Sequence, residues 1–184
     1  AAVQYVLADV AGGGLLPRRL RVLDVGAGVG GPALGLVDYL PDDALLDYHA
    51  VEPSPAADLL SALIDEAGRN VRATVHRSTA EAFDPGAVVE SLAGADGAVD
   101  ADEDGGLGFD LLLFANVLSE LDDPVAVVER YAEHLAADGS LVLLAPADLE
   151  TSTGLRRVER TLANGRVEGG LTVYGPTVRL WPGH

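Results

Sequence analysis

Residues 22–31 read VLDVGAGVGG, an apolar run ending in an aspartate two residues ahead of a glycine-rich turn. No other feature of the chain restricts its fold as much. Leu20 to Val25 is rich in branched apolar residues that suit a strand. Pro32, just after the turn, suits the first turn of a helix. Between them, Gly26, Gly28 and Gly30 let the backbone approach a ligand that any side chain would exclude. A strand that passes into a helix in this way offers the helix's free N–H groups and partial positive charge to an anion.

The same alternation continues along the chain. Strands are expected at 45–51, 71–76, 109–115 and 141–145. Helices are expected from Pro32 to Leu40, after Ser54 to Ala67, in part of 79–93, from Asp123 with Pro124 at its first turn to Ala137, and over 148–163. Residues 1–11 carry apolar positions at helical spacing, and Gly12-Gly13-Gly14 stops them. Asp138-Gly139 is expected to turn the chain, and 171–174 with 177–181 to form a terminal hairpin. Residues 93–108, rich in glycine and aspartate, offer little to bury and are expected to form a mobile acidic loop. Strands alternating with helices predict a doubly wound α/β fold, a mostly parallel sheet with helices on both faces.

Composition narrows what such a fold can do. A chain of 184 residues suits one domain. Its 12 basic residues, all arginine, face 29 acidic ones, for a net charge of -17. Such a surface repels phosphates and anionic lipid, and fits either a salt-rich cytoplasm, which screens self-repulsion, or a basic partner. Without cysteine there is no disulfide, thiolate metal site or thiol nucleophile. No stretch reaches the roughly 18 apolar residues of a membrane span. Residues 1–16 also lack the basic start of a signal peptide. A soluble cytoplasmic protein without membrane contact is therefore expected. The lack of methionine, even at position 1, leads us to expect a piece of a longer or processed chain.

Two ligands fit the glycine turn. Gly26, Gly28 and Gly31 satisfy G-x-G-x-x-G, the dinucleotide pattern. Glu52 ends the second strand 22 residues after Gly30, where a carboxylate can accept hydrogen bonds from both ribose hydroxyls. Asp24 favours the second of them. A negative charge there disfavours a diphosphate and favours an ammonium group. S-adenosylmethionine (SAM) has an ammonium, a carboxylate and a ribose, and no phosphate.

The stretch V-L-D-V-G-A-G-V-G resembles the first motif of class I SAM-dependent methyltransferases, and Ala50-Val51-Glu52-Pro53 resembles their ribose-binding strand end. The likeness spans about residues 18–181. FDLLLFANVLSEL at 109–121, with LVLLAPAD at 141–148, is similar to the methyltransferase-like proteins of small ribosomal subunit assembly. The resemblance implies a seven-stranded sheet with its last strand antiparallel, SAM as cofactor, and methyl transfer to a ribosomal RNA or ribosome-associated acceptor. It further implies that Asp24, Gly26, Ala27, Gly28 and Gly30 hold the methionine end, with Glu52 on the ribose and Pro53 beside the adenine. Thr79, Ala80 and Glu81 match a segment that reaches the adenine amino group, although Thr79 stands where aspartate is usual. Asn116 would lie near the sulfonium and be the candidate catalytic residue. The ribosomal family's cysteines for an iron–sulfur cluster are missing here. A non-catalytic SAM-binding assembly factor and an NAD-dependent oxidoreductase remain as alternatives.

Other constellations are better read as structural. Asp100, Asp102, Asp104 and Gly105 begin a calcium-loop pattern, but Leu111 stands where its closing glutamate should be. Histidines 49, 76, 134 and 184 lack zinc-site spacing, so no metal is expected. Arg156, Arg157, Arg160 and Arg166 could meet phosphate, though pairing with Glu150 and Glu159 explains them as well. Ser119 and Glu120 follow the fourth strand, where Glu120 could serve as a base or simply face solvent.

Overall fold

In a computed structural model of the chain, the described residues are 19–41, 43–67, 71–95, 108–146, 148–163 and 171. They form β1 (Arg19–Val25), α1 (Gly31–Tyr39), β2 (Leu45–Val51), α2 (Ala56–Ala67), β3 (Val71–His76), α3 (Pro85–Ala95), β4 (Phe109–Ala115), α4 (Pro124–Ala132), β5 (Leu135–Leu144) and α5 (Leu149–Ala163). A short 3-10 turn covers Leu118–Glu120. The strands make one sheet in the order β3-β2-β1-β4-β5, with every pairing parallel.

Alternation along each strand feeds two separate cores, because successive side chains leave a strand on opposite faces. Leu20 and Val22 of β1, Leu46 and Tyr48 of β2, and Leu111 and Leu113 of β4 pack with Ala33 and Leu36 of α1 and Leu60 and Ile64 of α2. On the other face, Leu23, Val25, Leu112 and Phe114 pack with Val88 of α3, Val128 and Tyr131 of α4, and Val158 and Leu162 of α5. The nearly unbroken apolar run of β4 reflects a central strand covered on both sides.

Local signals place most boundaries. The side chain of Asp123 accepts from the Ala126 amide at 3.2 Å, and Pro124 follows it into α4. Ser54 Oγ accepts from the Ala56 amide at 3.2 Å where α2 begins. Two expectations need correction. First, α4 stops at Ala132 rather than Ala137, and β5 begins at Leu135 rather than 141. Phe109 pairs with Leu135, and the ladder then jumps to Leu111 with Ser140. The expected turn at Asp138-Gly139 is therefore an interruption inside β5. A Cβ on Gly139 would lie 2.7 Å from the Phe109 carbonyl oxygen, so only glycine fits there. Second, the sheet has five strands among the described residues instead of seven. Leu171 packs against the second core, but the remainder of the expected hairpin, the 1–11 helix and most of the acidic loop lie outside the described residues. None of the described helices is long and apolar enough to cross a membrane.

Candidate functional site

The connection after β1 leads to β2 on one side of the sheet, whereas β4 lies on the other. The carboxyl ends of β1 and β4 thus flank the point where strand order reverses. In doubly wound sheets that point opens a crevice for ligands.

The glycine turn crosses it. Gly26, Gly28 and Gly30 have φ of 71°, 55° and 90°, all in the left-handed region. A Cβ on Gly26 would meet Val117 at 2.6 Å, so this glycine lets the turn close on the end of β4. A Cβ on Gly28 would meet nothing within 4 Å. That glycine opens space beside the backbone and packs against no neighbour.

Most of the turn's amides are engaged internally. Gly26 and Ala27 donate to the Val51 carbonyl at 2.9 and 3.4 Å, and Gly30 donates to that of Ala27 at 3.0 Å. Gly28 donates to Glu52 Oε2 at 2.9 Å, and Ser54 donates to Glu52 Oε1 at 2.8 Å. The expectation that the turn amides as a group receive an anionic ligand is thereby narrowed. Among the described residues, the amides of Val29 and Gly31 are the ones in the turn that make no internal hydrogen bond. Burial pushes the Glu52 carboxyl up, but the donors from Ser54 and Gly28 outweigh it and hold the group below its ordinary value. Glu52 is therefore an oriented carboxylate. Each of its oxygens keeps a lone pair beyond the one already engaged.

Asp24 lies beneath the turn with 0% exposure. Tyr48 on β2 donates its hydroxyl to Asp24 Oδ2 at 2.5 Å, and Oδ1 has no partner. Burial raises the carboxyl strongly, the Tyr48 hydrogen bond lowers it in part, and the charge of Glu52 raises it again, leaving it at about 7. An unpartnered buried carboxylate oxygen costs free energy unless a donor reaches it. A cationic group in the crevice would supply that donor, and a diphosphate would add repulsion.

The remaining predicted residues are placed as follows. Pro53 is exposed just after Glu52. Thr79 Oγ1 accepts from the Ala82 amide at 3.3 Å, so its hydroxyl closes a local turn. The Ala80 carbonyl accepts from Tyr131 Oη at 2.9 Å and Arg130 Nη2 at 2.5 Å, and that of Glu81 from Arg130 Nη1 at 2.9 Å. The segment is thus clamped from α4, which the spacing of residues did not foretell. Asn116 is exposed with φ 61°, and its amide donates to the Leu144 carbonyl at 2.9 Å. A non-glycine residue in this region costs about 1 kcal/mol or more and often marks a working site. Ser119 and Glu120 are exposed on the 3-10 turn. Arg156, Arg157 and Arg160 are exposed on α5, whereas Arg166 and the Asp100–Gly105 pattern lie outside the described residues.

Two histidines scattered in sequence come together on the opposite face of the sheet from Tyr48. His49 Nδ1 and His76 Nε2 lie 3.2 Å apart with stacked rings, and Asp47 is 3.6 Å from His49 Nε2. Burial first, then the nearby His49, lowers His76 below its ordinary value. Alternation along β2 and β3 could have signalled the pair, but only with the strand register known. Among the described residues there is no group of three or more side chains able to hold a metal ion.

A doubly wound sheet with a glycine turn at the switch point, an acid beneath it and an oriented acid on the next strand defines a nucleoside-binding α/β domain. Residues 23–141 match the family model described as a methyltransferase domain, and the chain belongs to that family. The family match supports S-adenosylmethionine as the cofactor. No curated protein matches the chain. Solved structures with the same fold include the YcgJ protein of Bacillus subtilis, at TM-score 0.51 and 22% identity over 77% of this chain and 49% of that one. The CurJ carbon methyltransferase aligns at TM-score 0.56 and 18% identity over 86% of this chain and 40% of its own. A putative O-methyltransferase from Klebsiella pneumoniae aligns at TM-score 0.52 and 16% identity over 90% and 69%. The chain thus spans half or less of the length of the first two.

Proposed function

We propose that the chain is the cofactor-binding core of a cytoplasmic SAM-dependent methyltransferase, acting on a ribosomal RNA or ribosome-associated acceptor. The observation that carries the cofactor reading is Asp24: buried, acidic and with one oxygen unpartnered directly behind the glycine turn. The open space beside Gly28 supports the same reading. The acceptor class is supported by the likeness of residues 109–121 and 141–148 to the ribosomal assembly family.

SAM brings a methyl group already activated by a positively charged sulfur. What the chain must do is bind, orient and exclude competitors. Asp24 Oδ1 would take the ammonium, the amides of Val29 and Gly31 would receive the carboxylate, and Glu52 would accept from the ribose hydroxyls, with Pro53 beside the base. Ala80 and Glu81 border the base on a segment held by α4. Asn116, exposed at the carboxyl end of β4, orients the acceptor. Displacement at an activated methyl gains much of its rate from positioning, so no strong base is required.

Calorimetry with SAM and with NAD in concentrated salt tests the cofactor. Saturable NAD binding without SAM binding would reverse the assignment. For the acceptor, small ribosomal subunits should co-purify in high salt and take up label from methyl-labelled SAM. Labelling of an unrelated small molecule alone would refute the ribosomal target.

A further inference from the structure

Tyr48 is the part of the site that cofactor binding, as described, leaves without a role. It lies on the strand next to Asp24 and on the same face of the sheet, and both side chains are fully buried. Its hydroxyl donates to Asp24 Oδ2 at 2.5 Å, while Oδ1 has no partner. Burial, and then the charge of Asp24, hold the Tyr48 hydroxyl well above its ordinary value. It therefore remains a donor throughout the range in which the aspartate titrates. Tyr48 and Glu52, both from the β2 side, are the titratable groups acting on Asp24. From β4 the residue in register is Leu113, and α1 and α2 bring apolar side chains such as Leu36 and Leu60 to that face. The paired histidines His49 and His76 lie across the sheet.

We propose that Tyr48 is a positioning residue for cofactor binding: it holds one oxygen of Asp24 so that the other meets the cofactor's ammonium, and where Asp24 is protonated, binding expels that proton. This rests on the SAM reading above. The step balances: a neutral carboxylic acid and an ammonium become a carboxylate–ammonium pair, and one proton passes to solvent. A donor to the charged form favours that form. Tyr48 therefore lowers the pH at which the site becomes competent, against the burial that raises it.

The test is calorimetric titration with SAM from pH 5 to 8 in buffers of unlike ionisation enthalpy. The expected result is release of nearly one proton per SAM near pH 6. Affinity should rise about tenfold per pH unit toward a plateau near 7. Tyr48→Phe should move this acid limb to higher pH. The alkaline limb, set by the cofactor's own α-amino group at about 8, should stay in place. If Tyr48→Phe fails to fold, the wild-type proton count still decides, and Asp24→Asn should bind more weakly with no proton released. SAM binding with a flat profile, or an equal loss for Tyr48→Phe at every pH, overturns this proposal alone. No SAM binding at any pH overturns the cofactor reading and this proposal with it. The carboxyl carbon resonance of Asp24 in the free protein gives a readout independent of SAM. Its titration midpoint should rise in Tyr48→Phe, and an unmoved midpoint would count against the role.

Discussion

Burial of Asp24 costs stability wherever its carboxyl is ionised. Its carboxyl is lifted from an ordinary 3.8 to about 7, so the folded chain holds this proton more tightly than the unfolded chain does. The associated penalty is absent at low pH. It grows as pH climbs from 3.8 and is complete above about 7, at about 4 kcal/mol by linkage. Asp24→Asn should therefore raise the thermal midpoint of the free protein at pH 8, change it little near pH 4, and weaken SAM binding at least about tenfold. Scanning calorimetry at the two pH values checks the sign, and an equal gain at both would exclude it. The glycines separate in a similar way. Gly26→Ala forces a Cβ to 2.6 Å from Val117 at φ 71° and should cost about 3 kcal/mol of stability. Gly28→Ala meets open space, so only its left-handed backbone is strained, at about 1–2 kcal/mol. On the proposed cofactor reading it should nonetheless lose affinity for SAM more than tenfold, because the added methyl would fill the open space beside the turn.

At the level of elements, α4 holds the segment that connects β3 to α3. Arg130 and Tyr131 of α4 fasten the carbonyls of Ala80 and Glu81, and the Arg130 guanidinium lies 5.4 Å from the centre of the Tyr131 ring. Arg130→Ala should free this segment at a cost of about 1–2 kcal/mol. Faster amide exchange at Ala82 and Phe83, with β1 unchanged, would report the release; unchanged exchange would mean the clamp is redundant. The elements themselves were largely legible in the chain, because strand alternation, Pro32, Ser54 and Asp123 act on their immediate neighbours. The end of α4 was not. Residues 133–137 carry no stop signal, and what displaces the helix there is the pairing of Phe109 with Leu135, a contact made across the sheet.

Over the whole molecule, the imbalance of charge acts on every part of the chain at once. A net charge of -17 makes the compact state repel itself, and salt shortens the reach of that repulsion from about 10 Å at 0.1 M to about 3 Å at 1 M. The thermal midpoint should climb with added potassium chloride, by about 2–4 °C for each kcal/mol of repulsion removed. A midpoint that falls with salt would show that specific ion pairs outweigh the net charge. An exposed pair such as Arg77 with Asp58 contributes little by itself.

The sequence alone determined the strand–turn–helix at residues 20–40, the acid before the turn and the acid ending the next strand, because each depends on residues adjacent along the chain. Tertiary structure decided the rest. Strand register set Tyr48 on Asp24 and His49 beside His76, the turn's folding set Gly28 on Glu52, and helix packing set Arg130 on Ala80. Those contacts join residues 24 to 50 positions apart. No local propensity encodes such a distance; it is fixed only when the two faces of the sheet bury their apolar side chains together.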